Sequence, residues 1–402
     1  MLHAKPRVSP RVFLLLCVGL AVVAGVLAGC GGAGNPGGNN LAVTAAGVAP
    51  AAAHDPAVVG TWMVVWDTRN GVTVAPTVLE HWWPGTTYGL IVYKGTGTWI
   101  YTGYKAGGVV TGTNDGTWTA GGGQCTLWER DTNKTNSGTY TISGNVSTQS
   151  FTGGGVTQVR HSVKIVTLTA HDPALVKTWK ATGVWVNGVS KPLSYLSGSA
   201  TYSHFARSFL ANGTSQFYSL GWSSDGGVYD VIKLPKLGLQ NWATGGGVVK
   251  YLAGNYQSAI YTVVSGTLTI WQLDAKGNTL KITFTPFGAT GAHDADFIGI
   301  WHPVSGTING KSAPVNTIFN SKAGTTSTST TYWPDGTIET PNYNGTTLFY
   351  DELNTWYTSG STIHLQTGGG PFSATYALVN GSAKLSWTEG VNKYSVTFKS
   401  GA

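Results

Sequence analysis

The chain has 402 residues, more than one ordinary domain needs and enough for two to four. Hydrophobic residues make up 41% and charged residues only 10%, against roughly a quarter in typical soluble domains, so uncharged Thr, Ser, Asn and Gly must cover the surface. The net charge of +7 is spread thinly, without the clustered Lys and Arg that neutralise phosphates, which argues against a nucleic-acid partner.

In chain order, the basic start "MLHAKPRVSPR" leads into the apolar run "VFLLLCVGLAVVAGV", the form of an export signal. It ends on Leu27-Ala28-Gly29-Cys30, which resembles the lipobox of bacterial lipoproteins. The resemblance implies a signal over 1–29, removal before Cys30, and diacylation of the Cys30 thiol, which anchors the chain to a membrane. A plain signal peptide or a single membrane-spanning anchor remain the alternatives. Residues 30–52, "CGGAGNPGGNNLAVTAAGVAPAA", have no hydrophobic period and read as a flexible tether. Gly31 stands where many inner-membrane lipoproteins of enterobacteria carry aspartate, so the expected address is the outer membrane or cell surface. Cys125 is then the one cysteine left in the exported part, which gives no internal disulfide framework and suits a buried small hydrophobe.

After the tether the chain repeats itself. "AHDPAVVGTW" from Ala53, "AHDPALVKTW" from Ala170 and "AHDADFIGIW" from Ala292 each place a tryptophan eight residues after the histidine, at Trp62, Trp179 and Trp301. Asn-Gly follows at sixteen, and Pro76, Pro192 and Pro314 at twenty-one or twenty-two. Shared offsets of this kind indicate three homologous units, 53–169, 170–291 and 292–402. Asn-Gly suits a type I′ hairpin, in which both central residues need positive φ. The units end on "SVKIVTL", "TLKITFT" and "KYSVTFK", and the period of two is the mark of a half-buried strand. No long segment has a helical period. The expected fold is therefore all-β: three tandem small antiparallel barrels behind a signal peptide and linker.

His-Asp invites a catalytic reading, but no Gly-x-Ser-x-Gly nucleophile accompanies it. Aspartate before proline instead suits the start of a short helical turn, with Asp55 and Asp172 as caps and Asp294 doing the same before Ala295.

The turn followed by "GTW" at Gly60–Trp62 resembles the first strand of the lipocalin and wider calycin barrels, where a Gly-x-Trp closes one end. Gly299 and Trp301 match as well, while the second unit has Lys177 before Trp179. The resemblance covers roughly 54–402 and implies a lipocalin-like barrel in each unit, with a small or filled cavity because the units are short. It also implies a cation from the last strand over the tryptophan: Arg160 in the first unit, Lys281 and Lys393 in the others.

Chemistry is sparse. Asp351 and Glu352 are adjacent, so they should point apart as a solvated rim rather than form a glycosidase pair. The histidines show no metal-ligand spacing, and no metal or other cofactor is implied. Aromatics are the best candidates for ligand contact: Trp82 and Trp83 in "HWWPG", Trp185, Trp222, and Tyr332 and Trp333 in "TYWPDG". Neighbours on a strand face opposite sides, so one of each pair should be inside. The leading expectation is a non-enzymatic envelope lipoprotein that binds or carries a lipid or other apolar or amphipathic small molecule in its barrels. The alternatives are a surface protein that binds glycan or protein through exposed aromatics and loops, and a hydrolase or other enzyme of a type the motifs do not reveal.

Overall fold

The computed structural model describes residues 54–76, 83–105, 108–196, 204–222, 229–232, 240–251, 258–288, 291–319, 324–367 and 370–401. The signal segment, Cys30, the tether and Trp82 lie outside these residues, and Trp222 is described by its backbone alone.

The chain is nearly all β and forms three closed, eight-stranded antiparallel barrels of lipocalin-like, up-and-down type. In the first, the strand Gly60–Arg69 pairs with Tyr88–Tyr93 on one side and with the last strand, Val156–Lys164, on the other. Lys177–Val186 closes on Thr279–Pro286 in the second, and Gly299–Ile308 on Asn392–Ser400 in the third.

The hairpin after each first strand turns at Asn70-Gly71, Asn187-Gly188 and Asn309-Gly310, with φ near 49° at every Asn and 78–80° at every Gly. These angles define the type I′ turn, whose twist matches that of the strands it joins. Each first strand is also bulged at one equivalent place, between Val64 and Trp66, Ala181 and Gly183, and Pro303 and Ser305. A bulge adds local twist and bend, which a sheet needs to curl into a closed barrel. Two of the three prolines precede helical turns after these hairpins: Pro192 stands before Leu193–Leu196 and Pro314 before Val315–Ile318.

Alternation places the core. Leu280, Ile282 and Phe284 of the second barrel are buried on one face, with Lys281 and Thr283 between them only partly so. In the first barrel the closing strand starts earlier than "SVKIVTL" suggests and ends at Lys164, directly opposite Trp62. Beyond that point the first strand has little length left to pair with, and the chain departs toward the next repeat.

Compactness divides the chain differently from the repeats. One unit is Met1–Thr167 with Gly246–Ile260 and Gln272–Thr279, and the other is Leu168–Gly245 with Tyr261–Trp271 and Leu280–Ala402. Within the first, Asn145 N donates to the Gly246 carbonyl at 2.9 Å, and Thr279 Oγ1 lies 3.3 Å from the Val74 carbonyl. Within the second, Thr178 N donates to the Asp335 carboxylate. Among the described residues no helix is long and apolar enough to cross a membrane.

Candidate functional site

Each repeat seals one end of its barrel with the same side chains. The histidine Nε2 lies 2.9–3.0 Å from the carbonyl of a second tryptophan: His54 to Trp118, His171 to Trp242, His293 to Trp356. A carbonyl only accepts, so Nε2 carries the proton. Each ring also meets the same tryptophan at 4.8–5.0 Å between centroids. The neighbouring aspartate works elsewhere. One oxygen accepts from the backbone N–H two residues on, and the other from a tyrosine hydroxyl: Asp55–Tyr140, Asp172–Tyr261 and Asp294–Tyr376, at 2.5–2.7 Å. The first-strand tryptophans donate their indole N–H to the turn, Trp62 to the Val58 carbonyl, Trp179 to Leu175 and Trp301 to Phe297.

The protonation energetics follow these partners. The Tyr140 hydroxyl holds the Asp55 carboxyl below its usual range. Burial, then the bond to its aspartate, pushes Tyr140 and Tyr376 up to about 12 and raises Tyr261 as well. Histidine and aspartate thus point at different partners in all three copies, and the motif fastens a plug. The second tryptophan is a residue that sequence reasoning missed. Its signal is there in "DGTWTAG", "LQNWATG" and "LNTWYTSG", each just before a hairpin turn.

Above its seal the third barrel is hollow. A cavity of about 120 Å³ is lined by side chains of two kinds, arranged on two sides. Thr328, Thr330, Thr340, Asn342, Glu352 and Asn354 come from the strands between Ser327 and Ser359, together with Tyr332 and Ile338. Leu365, Phe372, Leu385, Trp387 and Phe398 come from the four strands that follow, and Phe319 from the turn after Val315–Ile318. Tyr332 links cavity to seal, with its ring 4.8 Å from Phe297 and 5.1 Å from Trp356. Its full burial raises its phenol pKa, so it stays neutral. Glu352, expected on a solvated rim, is half-buried and lines the cavity. On the strand Thr347–Ser359 the alternation that buries Trp356 also turns Asn354 and Glu352 toward the cavity.

In the first barrel the described core is a cluster of rings. Trp62, Trp99 and Trp118 pack with Tyr93, Tyr101 and Tyr140, and Trp83 lies against this core with its ring 6.4 Å from Tyr101. Gly112 admits Trp83, because a Cβ there would fall 2.1 Å from its ring. Arg160 does not cover Trp62. It faces Asp67 at 3.6 Å, both buried, while Lys164, opposite Trp62 in register, places its ammonium 5.3 Å from that ring. In the second barrel Lys177, which replaces the glycine, does the same for Trp179 at 5.4 Å. Lys281 lies 5.0 Å over Trp185 on the outer face, and Lys393 donates its backbone N–H to the Asn309 side chain.

No family model matches the chain, and a search of curated proteins finds no match either. Among solved structures it is similar to isotype 1 transferrin binding protein B from serogroup B Neisseria meningitidis, at 10% identity and a TM-score of 0.18, over 85% of this chain and 76% of that one. It is also similar to a Trp-176-Ala mutant of transferrin binding protein B from Haemophilus parasuis Hp5, at 9% identity and a TM-score of 0.16, over 84% and 74%. At such TM-scores neither the fold nor a partner follows from the likeness.

Of the remaining candidates, Trp333 is half-buried and its carbonyl accepts from the Trp356 indole at 3.0 Å. Cys125 is buried, which pushes its thiol up to about 11 and leaves it protonated. Among the described residues no three His, Cys, Asp or Glu side chains gather where they could hold a metal ion. Outside the third barrel, Thr362, Thr375, Ser386, Ser395 and Thr307 stand directly opposite one another across five strands. They border an open groove of about 550 Å³.

Proposed function

We propose that the chain is a non-enzymatic, lipid-anchored envelope protein whose third barrel holds a small amphipathic molecule. The observation that carries this reading is the cavity of about 120 Å³ with one polar and one apolar wall. A water in liquid takes about 30 Å³, and a dry cavity of about 150 Å³ binds benzene, so the guest is a compact molecule or the end of a longer one. It lies below the roughly 300–1,000 Å³ typical of drug-sized pockets. In this reading Cys30 carries the lipid, residues 30–52 are the tether, and the protein faces outward from the outer membrane. The aromatic positions proposed from sequence then divide: Tyr332 lines the site, Trp83 packs against the core of the first barrel, and Trp185 and Trp333 serve packing.

Native mass spectrometry of the full chain extracted from its own envelope tests this. The expected result is a discrete non-covalent adduct, beyond the acyl mass on Cys30, that is lost in a Leu385→Trp variant that fills the cavity. An adduct that survives Leu385→Trp, or a chain that stays empty when offered an envelope extract, contradicts the reading. A second reading, glycan binding, is favoured by the row of hydroxyls outside the third barrel. It expects glycan binding that Leu385→Trp leaves unchanged.

A further inference from the structure

We infer that the row of hydroxyls outside the third barrel binds a linear glycan that carries acid groups. The inference rests on the glycan reading above and is independent of the cavity. The row continues past the five strands already named, to Ser359 opposite Thr362 and Ser312 opposite Thr307. It therefore crosses seven strands, with about 4.8 Å from each strand to the next. Barrel closure does not demand it. Two residues before its Asn-Gly turn the third barrel has Thr307 opposite Ser395, whereas the first has Thr68 opposite Val159 and the second Trp185 opposite Lys281. The hydroxyls face outward, because their chain neighbours Ala374, Leu385 and Val396 are buried in the core. Each hydroxyl has one proton to give and two lone pairs to receive. Bonds within the row, from Thr375 to the Ser386 carbonyl at 3.1 Å and from Ser386 to Ser395 at 3.3 Å, use only part of that capacity. An extended sugar chain presents hydroxyls at nearly the interval between strands, so it matches the row unit for unit. A protein partner would instead need an aromatic or aliphatic anchor at the centre of the contact, which the row does not offer.

Charge decides the class of glycan. Lys393 is the one charged residue that borders the groove. It stands two residues from Ser395 on one side of the row, and Lys384 stands two residues from Ser386 on the other, opposite Thr397. Two residues of strand span about 7 Å, within reach of a lysine side chain, so both ammonium groups can meet a chain lying on the row. Both lysines are exposed, and no ion pair among the described residues involves either. The strands Thr362–Thr367, Gly370–Val379, Ser382–Glu389, Asn392–Ser400 and Gly299–Ile308 together carry a single carboxylate, Glu389. Alternation gives Glu389 the face of Leu385 and Trp387, away from the row. A carboxylate on the sugar thus meets cations on both sides and no anion.

Oligogalacturonate and its methyl ester share a backbone and differ in charge, so together they separate charge from fit. Each is titrated into the full chain by calorimetry at low and at high salt, with polyglutamate as a polyanion without sugar. The acid is expected to bind about tenfold tighter than the ester at low salt and to lose that advantage as salt rises. A chain with both Lys384→Gln and Lys393→Gln is expected to bind the acid only as well as the ester, with ester binding unchanged. Equal binding of acid and ester, or a preference that survives the double substitution, overturns the acid assignment and leaves the glycan reading in place. Polyglutamate that binds as tightly as oligogalacturonate, or failure of both sugars to bind, contradicts the glycan reading as well.

Discussion

At the scale of single residues, the three seals show how much one side chain settles. His161, elsewhere in the first barrel, illustrates the cost of burying a base. It stacks on Trp66 at 4.0 Å, its Nδ1 lies 3.0 Å from Thr148 Oγ1, and burial lowers its pKa to about 4 from an ordinary 6.5. The unfolded chain therefore takes up a proton between these values that the folded chain refuses. Stability from this residue is complete above pH 6.5 and is lost as the pH falls toward 4. Melting temperatures across that range should fall for the native chain and fall less for His161→Phe, which keeps the stacking without the titration. Equal slopes for the two would contradict the assignment.

At the scale of elements, the repeated turns are the parts most legible in the amino-acid order. Asn-Gly at a fixed offset named the hairpins, because few other pairs accept two positive φ angles. Less legible was the turn at Gly97, where φ is 81° and a Cβ would stand 2.5 Å from His54 Nε2. The neighbour that forbids a side chain there lies far away in sequence, so no local pattern announces it. Gly97→Ala should cost about 1–2 kcal/mol for the left-handed backbone alone, and more for displacing the histidine. Gly153→Ala, with nothing within 4 Å of the added atom, should cost far less in the same urea titration. Comparable losses would mean that the seal does not depend on this contact. Arg160 was misplaced for a related reason: alternation sets the face it occupies, but the register opposite Asp67 comes from barrel closure.

At the scale of the whole molecule, three copies of one plan have diverged in what they enclose. Repeat offsets showed the number of barrels and their type, because turns and periods are local. They did not show that Trp83 packs against the core of the first while the third holds a cavity, since packing depends on side chains that converge from eight strands. Nor did the sequence around Glu352 reveal that it faces the cavity. That follows only once the position of Trp356 in the seal fixes the phase of its strand.

The central claim is that the third barrel, unlike the first, keeps room for a guest. Diffraction from crystals of the full chain under xenon tests it most directly, because xenon enters apolar voids and is seen without knowledge of the natural ligand. The account predicts a xenon peak against Leu365, Leu385 and Phe398, and none behind Trp83. A third barrel that excludes xenon, or a first barrel that admits it, would contradict the account.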